Sequence, residues 1–386
     1  MNLNDTEDQI ALGNLVRSIC ADHCTTAVVR AMENDERGYP EALWQQLIQA
    51  GLLGTLIPEE WGGSPISMLE NAAIYEEFGR ALAPLPHFVS SVVSALALQR
   101  SGHAQWRQAL LPAIASGALI VTPAWLEPGN AYAAAGVQLR AEAQGDSFIL
   151  SGEKRHVFFA GAAHKLLVLA RTGAADTAID LFLVDRDAPG LTLRRESSMA
   201  SDTQFHARFD RVTVAAAARL TRDGSGWALW QDVLHEAVIL DAARAVGLAA
   251  RALEITVAYA GQREQFDKPI AAFQSISHYL ADCATAVDGA RTLVYEAAWA
   301  HSNGKPFHTL AAMAQLFAGD TARDVTAKAE QIHGGIGFTL EYDIQLFFRR
   351  AKQGQLNWWD SRYLEELIAA AVLDRGEPVS VADPFL

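Results

Sequence analysis

The chain has 386 residues, half of them apolar and one in five charged, with a formal charge of 31 − 45 = −14. That length exceeds what a single core usually fills, so two or three domains are expected. The acidic balance argues against nucleic acid or an anionic membrane surface as a partner, yet leaves local arginines free to bind a phosphorylated ligand.

The opening residues, Met1-Asn-Leu-Asn-Asp-Thr-Glu-Asp-Gln, lack the basic and apolar regions of a signal peptide, and no run reaches the ~18 apolar residues of a membrane helix. A soluble, cytoplasmic protein is the expectation. Asp5 to Ala31 reads as one amphipathic helix, with Ile10, Leu12, Leu15, Val16 and Ile19 at helical spacing. Cys20 and Cys24 lie on it. With Cys283 they make neither a disulfide framework nor a zinc set, so no metal is expected and the thiols read as free and buried. Pro40 opens a second helix, followed by Gly51 and Gly54, and Pro58-Glu-Glu-Trp-Gly-Gly63 reads as a turn. Met68 to Leu82 and Val89 to Arg100 return to helical spacing. Residues 1–120 therefore form an N-terminal helical domain.

Short strands follow: Val137–Arg140, Phe148–Leu150, Lys165–Ala170, Ile179–Val184, Leu191–Leu193 and Phe205–Val214, punctuated by Gly145, Gly152 and Pro189-Gly190. Residues 121–225 read as a β domain, a barrel or a sandwich. From residue 226 to 386 the pattern is helical again, over about 227–262, 270–302, 307–332 and 341–373, which implies an antiparallel four-helix bundle. The order helix–β–helix, without strand–helix alternation, makes this an α+β multidomain chain and argues against a dinucleotide-binding sheet. The tail after Gly376, with Pro378 and Pro384, reads as loose.

Two segments carry the most chemistry. Arg263-Glu-Gln-Phe-Asp-Lys-Pro-Ile-Ala-Ala-Phe-Gln274 offers an arginine, an aromatic ring and an amide. Gln331-Ile-His-Gly-Gly335 puts a glycine pair where a helix stops. Arginine forks match phosphate oxygens, and glycines let backbone approach a diphosphate closely. The bland alternatives are a solvated ion pair for Arg263 and a helix C-cap for the glycines.

With these segments, Gly54-Thr-Leu-Ile-Pro-Glu-Glu-Trp-Gly-Gly63, Glu76-Glu-Phe-Gly-Arg80 and Ser151-Gly-Glu-Lys-Arg155 complete a set that resembles the acyl-CoA dehydrogenase family over nearly the whole chain. The resemblance implies an FAD cofactor, an acyl-CoA substrate, and removal of an α-proton and a β-hydride to leave an α,β double bond. It implies that Arg263, Phe266 and Gln274 reach the diphosphate and adenosine half of FAD, and that Gln331, Gly334 and Gly335 close around the same half. It also implies an electron-transfer partner and a dimer or tetramer in which a neighbouring subunit completes the FAD site.

The chain departs from the family where the flavin ring should sit. Leu126, in Trp125-Leu-Glu-Pro-Gly-Asn130, occupies a threonine slot. His156-Val-Phe158 replaces a Trp-Ile-Ser/Thr triplet, so Phe158 takes the hydroxyl position. The base slots depart too. Asn357-Trp-Trp-Asp360 stands where most members have Tyr-Glu-Gly-Thr, so Trp358 takes the glutamate position and Asp360 the threonine position. The alternative slot, 26 residues before Arg263, is Ala237. Neighbouring carboxylates are Glu236, one residue away and therefore rotated by ~100°, and Asp241, one turn further on the same face. Asp241 is the favoured base, with Glu236 beside it; its structural alternative is an ion pair with Arg244 at i+3. His156, His164 and His235 have no acidic partner visible in the sequence and read as structural, while His333 lies within the glycine motif.

Three functions follow: an FAD-dependent acyl-CoA dehydrogenase; a degenerate subunit that completes the FAD site of a heteromer with a second homologous chain, as the ending Arg349-Arg-Ala-Lys352…Asp360 suggests; and a flavin-dependent oxidase or oxygenase on the same fold.

Overall fold

The computed structural model describes residues 4–129 and 131–374; Asn130 and the tail read as loose lie outside them. In chain order the elements are α1 (Glu7–His23), α2 (Thr26–Met32), α3 (Glu41–Gln49), α4 (Met68–Arg80), α5 (Ala95–Arg100), α6 (Ala104–Ala115), β1 (Val121–Ala124), β2 (Arg140–Gln144), β3 (Ser147–Phe158), β4 (Lys165–Arg171), β5 (Ile179–Asp185), β6 (Leu191–Glu196), β7 (Gln204–Ala215), α7 (Gly226–Gln262), β8 (Glu264–Gln265), β9 (Lys268–Pro269), α8 (Gln274–Ser302), α9 (His308–His333), α10 (Ile344–Gly354) and α11 (Ser361–Leu373). The helix–β–helix order read from the sequence is the observed one.

Local chemistry accounts for the differences. The expected Asp5–Ala31 helix breaks after His23. Its start is fixed by a reciprocal capping box, in which the Thr6 side chain accepts from Gln9 N–H and the Gln9 amide accepts from Thr6 N–H. Before α5, residues Phe88–Ser94 form a π-helical turn buried throughout. The last expected helix is two. Trp358 adopts a left-handed backbone (φ 61°), and Asp360 then caps α11 by accepting from Tyr363 N–H at 2.9 Å.

The chain divides into two compact units. One comprises Met1–Ala27, Ser67–Ala83 and Val238–Leu386, and its regular elements among the described residues are helices apart from the β8–β9 hairpin. Within it α4 crosses α7 at backbone contact. A Cβ on Gly79 would overlap the Arg244 carbonyl, and one on Gly247 would overlap the Glu76 carbonyl. Only glycine permits that approach. The carboxylates of Glu76 and Glu77 then point elsewhere: Glu76 pairs with Arg291 of α8, and Glu77 takes Arg17 of α1 at 2.7 Å. The Glu76–Arg80 motif is therefore a packing device.

The other unit comprises Val28–Ile66 and Pro84–Ala237. Its sheet has seven strands in the order β1-β4-β2-β3-β7-β6, with β5 on the opposite edge of β4 from β1. Strand β1 pairs with β4 in parallel and β5 pairs with it antiparallel. Phe205, Ala207 and Phe209 alternate into a core with Leu150, Val157, Leu166, Val168, Phe182 and Val184. The β3–β7 ladder slips between Lys154 and Val157. That bulge turns His156 to φ 54°, re-aiming the residues that the family resemblance puts beside a flavin ring.

Candidate functional site

The helical unit carries the two segments that the sequence singles out for a phosphorylated ligand. Helix α7 ends at Gln262, and Arg263 leads into a two-residue hairpin whose turn residues, Phe266 and Asp267, both have positive φ (55° and 62°). Such turns match the twist of the flanking strands but usually require glycine or asparagine. Phe266 is held in that conformation while 86% exposed. Strain of this kind collects at functional positions. Arg263 is exposed and its guanidinium makes no ion pair among the described residues, so the solvated ion pair expected as its alternative is not formed. Gln274 opens α8 at an N-terminus without a side-chain cap, where unsatisfied N–H groups favour negative charge.

Tyr259, one turn before Arg263, joins the second motif to this end of α7. Its ring stacks on His333 at 4.2 Å and its hydroxyl donates to the His333 carbonyl at 3.4 Å. Helix α9 stops at Gly334, whose φ 64°, ψ −142° is open essentially to glycine alone. A Cβ at Gly334 or Gly335 would meet nothing within 4 Å, so bare backbone faces open space beside the exposed Gln331. The structure thus places Arg263 and the Gln331–Gly335 turn at the two element ends that the Tyr259–His333 stack joins. A diphosphate asks for a charged fork, amide donors and unobstructed backbone, and these residues fit it.

Sequence reasoning missed one group here. Glu330 is 3% exposed and neither carboxyl oxygen has a hydrogen-bond partner. Burial raises it to about 7. Its burial was not legible: it shares a face of α9 with the buried Ala322, Thr326 and His333, and only the packing of that helix decides that a glutamate there is covered.

On the β-rich unit the loop after β1 is held from within. Lys154, fully buried, donates to Glu127 at 2.8 Å and to the Trp125 carbonyl at 3.1 Å. The same Glu127 oxygen accepts from the N–H groups of Gln138 and Leu139, each at 2.9 Å. Burial lowers the Lys154 ammonium, with Glu127 opposing the shift. Leu126 is buried, and its carbonyl accepts from Arg155 N–H at 2.9 Å. The Phe158 carbonyl accepts from Thr122 Oγ1 at 2.5 Å. His156 does meet an acid, contrary to expectation: Glu196 of β6 accepts from His156 N–H at 3.1 Å and lies 3.3 Å from its Nδ1. Strand pairing, invisible in a linear reading, brings them together.

The carboxylates considered as bases are both engaged. Asp241, 3% exposed, pairs with Arg244 through one oxygen and accepts from Gln315 Nε2 at 2.9 Å through the other. The i+3 ion pair was legible; Gln315, on α9, was not. Glu236, 4% exposed, pairs with Arg100. Ala237, Trp358 and Trp359 are all buried. Asp360 serves as the cap of α11. Among the described residues no cluster of His, Cys, Asp and Glu could hold a metal ion, and no helix is long and apolar enough to cross a membrane.

Comparison with known proteins matches three family models: acyl-CoA dehydrogenase N-terminal domain over residues 6–118, middle domain over 123–212 and C-terminal domain over 224–372. The chain is 32% identical to probable acyl-CoA dehydrogenase YngJ of Bacillus subtilis (strain 168), over 97% of this chain and 100% of that protein. Among solved structures it resembles butyryl-CoA dehydrogenase from Megasphaera elsdenii (TM-score 0.89, 29% identity, 97% of this chain and 100% of that one). It also resembles a chain of the ChsE4-ChsE5 complex from Mycobacterium tuberculosis (TM-score 0.88, 28% identity, 98% and 100%).

Proposed function

The chain belongs to the acyl-CoA dehydrogenase family, and from that premise we propose that it is the FAD-clamping subunit of an assembly in which a second, related chain supplies the proton-taking carboxylate. The general reaction is that of the family: an acyl-CoA thioester loses an α-proton and a β-hydride and gains an α,β double bond. FAD, when bound, supplies the acceptor for the hydride.

We assign the diphosphate half of FAD to Arg263, Gln274, Gln331 and the backbone of Gly334 and Gly335, with Phe266 offering a face for the adenine. Leu126, Phe158 and Asp360 are assigned to the ring side, where the first two offer only main-chain groups to hydrogen bonding. Sequence domains 1–120, 121–225 and 226–386 are proposed for the chain, along with a dimeric or tetrameric assembly and an electron-transfer partner.

One observation carries the division of labour. The two base slots hold the buried Ala237 and Trp358, and the adjacent carboxylates of Glu236 and Asp241 are each bound to an arginine. A general base must be able to accept a proton from substrate. A buried carboxylate held by a guanidinium is a poor acceptor until that pair is broken. The second reading, dehydrogenation by this chain alone with Asp241 or Glu236 as base, rests on their burial near the alternative slot.

Purified by itself, the chain is expected to carry little flavin, and to become yellow when co-expressed with a related chain that has a glutamate in the base slot. A homomer that is yellow alone and bleaches anaerobically with an acyl-CoA would contradict the proposal. Within the assembly, Arg263→Ala should weaken FAD retention by about tenfold or more, the loss of one charge-assisted contact. Normal flavin content after gel filtration of that variant would remove Arg263 from the clamp.

A further inference from the structure

The Glu330 carboxyl lies beneath the glycine turn of the clamp. A Cβ on Gly337 would stand 2.6 Å from Glu330 Oε2 and 3.2 Å from the Glu330 carbonyl. The turn is tied to the same residue from above, because Gly334 N–H donates to that carbonyl, and Gly337 N–H donates to the Gly334 carbonyl at 2.9 Å. Both carboxyl oxygens are buried and without a hydrogen-bond partner. Such an arrangement suits a neutral acid. An ionised carboxylate demands water or a cation, and neither oxygen of Glu330 has a partner.

We propose that Glu330 is a proton-controlled positioning residue: its neutral carboxyl lets the Gly334–Gly337 turn close, and its ionisation weakens the grip on an FAD diphosphate. This rests on the clamp assignment above. Two effects act in the same direction. Ionisation puts a negative charge beneath a turn that is to receive a diphosphate, and it draws water under the turn itself. By linkage, a diphosphate on the turn favours the protonated carboxyl, so FAD binding takes up a proton.

Burial alone accounts for the raised value of Glu330, with no charged group on α7, α8, α10 or α11 contributing to it. On α9 itself, His333 donates through Nδ1 to the Ala329 carbonyl at 2.8 Å, and burial lowers its ring from the usual histidine value, with the Ala329 bond opposing the shift. Tyr259 of α7 and Tyr342, ahead of α10, pack on that ring, and burial raises the Tyr342 phenol. The folded-state value of Glu330 lies above the ordinary 4.5. The tight state is therefore complete at low pH and is lost as pH rises through about 7.

The test is FAD titration of the assembly, isolated through a tag on this chain, at pH 6 and pH 8.5 by quenching of flavin fluorescence. The wild type should bind FAD about tenfold more weakly at the higher pH, as expected for one pKa unit of coupling. Glu330→Gln, neutral and of the same shape, should flatten that dependence. The same slope in both proteins would overturn the proposal while leaving the clamp intact. Wild-type protein that binds no FAD even at pH 6 would overturn the clamp, and the proposal with it. Thermal melting without FAD reads the carboxyl independently. Glu330→Gln should melt above wild type at pH 8.5, with the gap narrowing toward pH 5; equal melting at both values would also count against a buried titrating group.

Discussion

Replacing Lys154 with methionine is expected to cost the β-rich unit about 3–5 kcal/mol at neutral pH. The ammonium is fully buried and has two partners, the Glu127 carboxylate and the Trp125 carbonyl. Methionine fills the volume of the lysine stem but leaves the Glu127 carboxylate, itself 8% exposed, facing a thioether. Removing one member of a buried ion pair is worse than removing both, because the survivor has lost its solvent and its counter-ion together. Denaturant unfolding of single and double variants checks this. Lys154→Met alone should shift the midpoint strongly, and the added change Glu127→Gln should recover a substantial part, since the amide still accepts from Gln138 and Leu139. If the double variant is no more stable than the single one, the uncompensated charge is not the source of the loss. The same substitution also frees the loop at Leu126, so weaker binding on the ring side should accompany the lost stability.

Gly247→Ala is expected to destabilise the helical unit by at least about 3 kcal/mol, at or beyond the upper end for overpacking. The added methyl would overlap the Glu76 carbonyl, and α4 presents backbone there rather than a side chain that can swing away. Alanine is otherwise the better helix former by about 1 kcal/mol, so a loss would have to come from the crossing. Separating the helices would also disturb the neighbouring Glu76–Arg291 pair. Gly261→Ala is the control: it lies on the same helix, and its added Cβ would meet nothing within 4 Å. Equal melting temperatures for the two variants would mean that the crossing relaxes without cost.

These two sites show what was legible in the sequence and what was not. Glu76-Glu-Phe-Gly-Arg80 and Ser151-Gly-Glu-Lys-Arg155 were recognisable as motifs, yet their physical work depends on partners far away in the chain: Arg244 and Arg291 for the first, Trp125 and Glu127 for the second. Helical spacing and β alternation gave the order of elements, because each is a local pattern. Element boundaries failed where turn chemistry decides them, as after Gly354, where the helix ends and the chain turns through a left-handed Trp358 before Asp360 caps α11. Strand β1 escaped notice because four residues, one of them proline, are too few to show a period. At the clamp, the residue types of Arg263, Gln331 and the glycines were readable. The burial of Glu330 beneath them was not, since exposure belongs to the packing of α9 rather than to one letter. The pairing of Asp241 with Arg244 followed from i+3 spacing, whereas its second partner, Gln315, needed the fold.

The division between clamping and proton transfer is tested most directly by anaerobic bleaching of the bound flavin in the assembly carrying Asp241→Asn, using a panel of saturated acyl-CoA thioesters. The expected result is retained FAD and a bleaching rate unchanged from wild type, because the proton goes to a carboxylate on the related chain. Loss of bleaching with FAD still bound would identify Asp241 as the base and contradict the assignment of this chain as the clamping subunit.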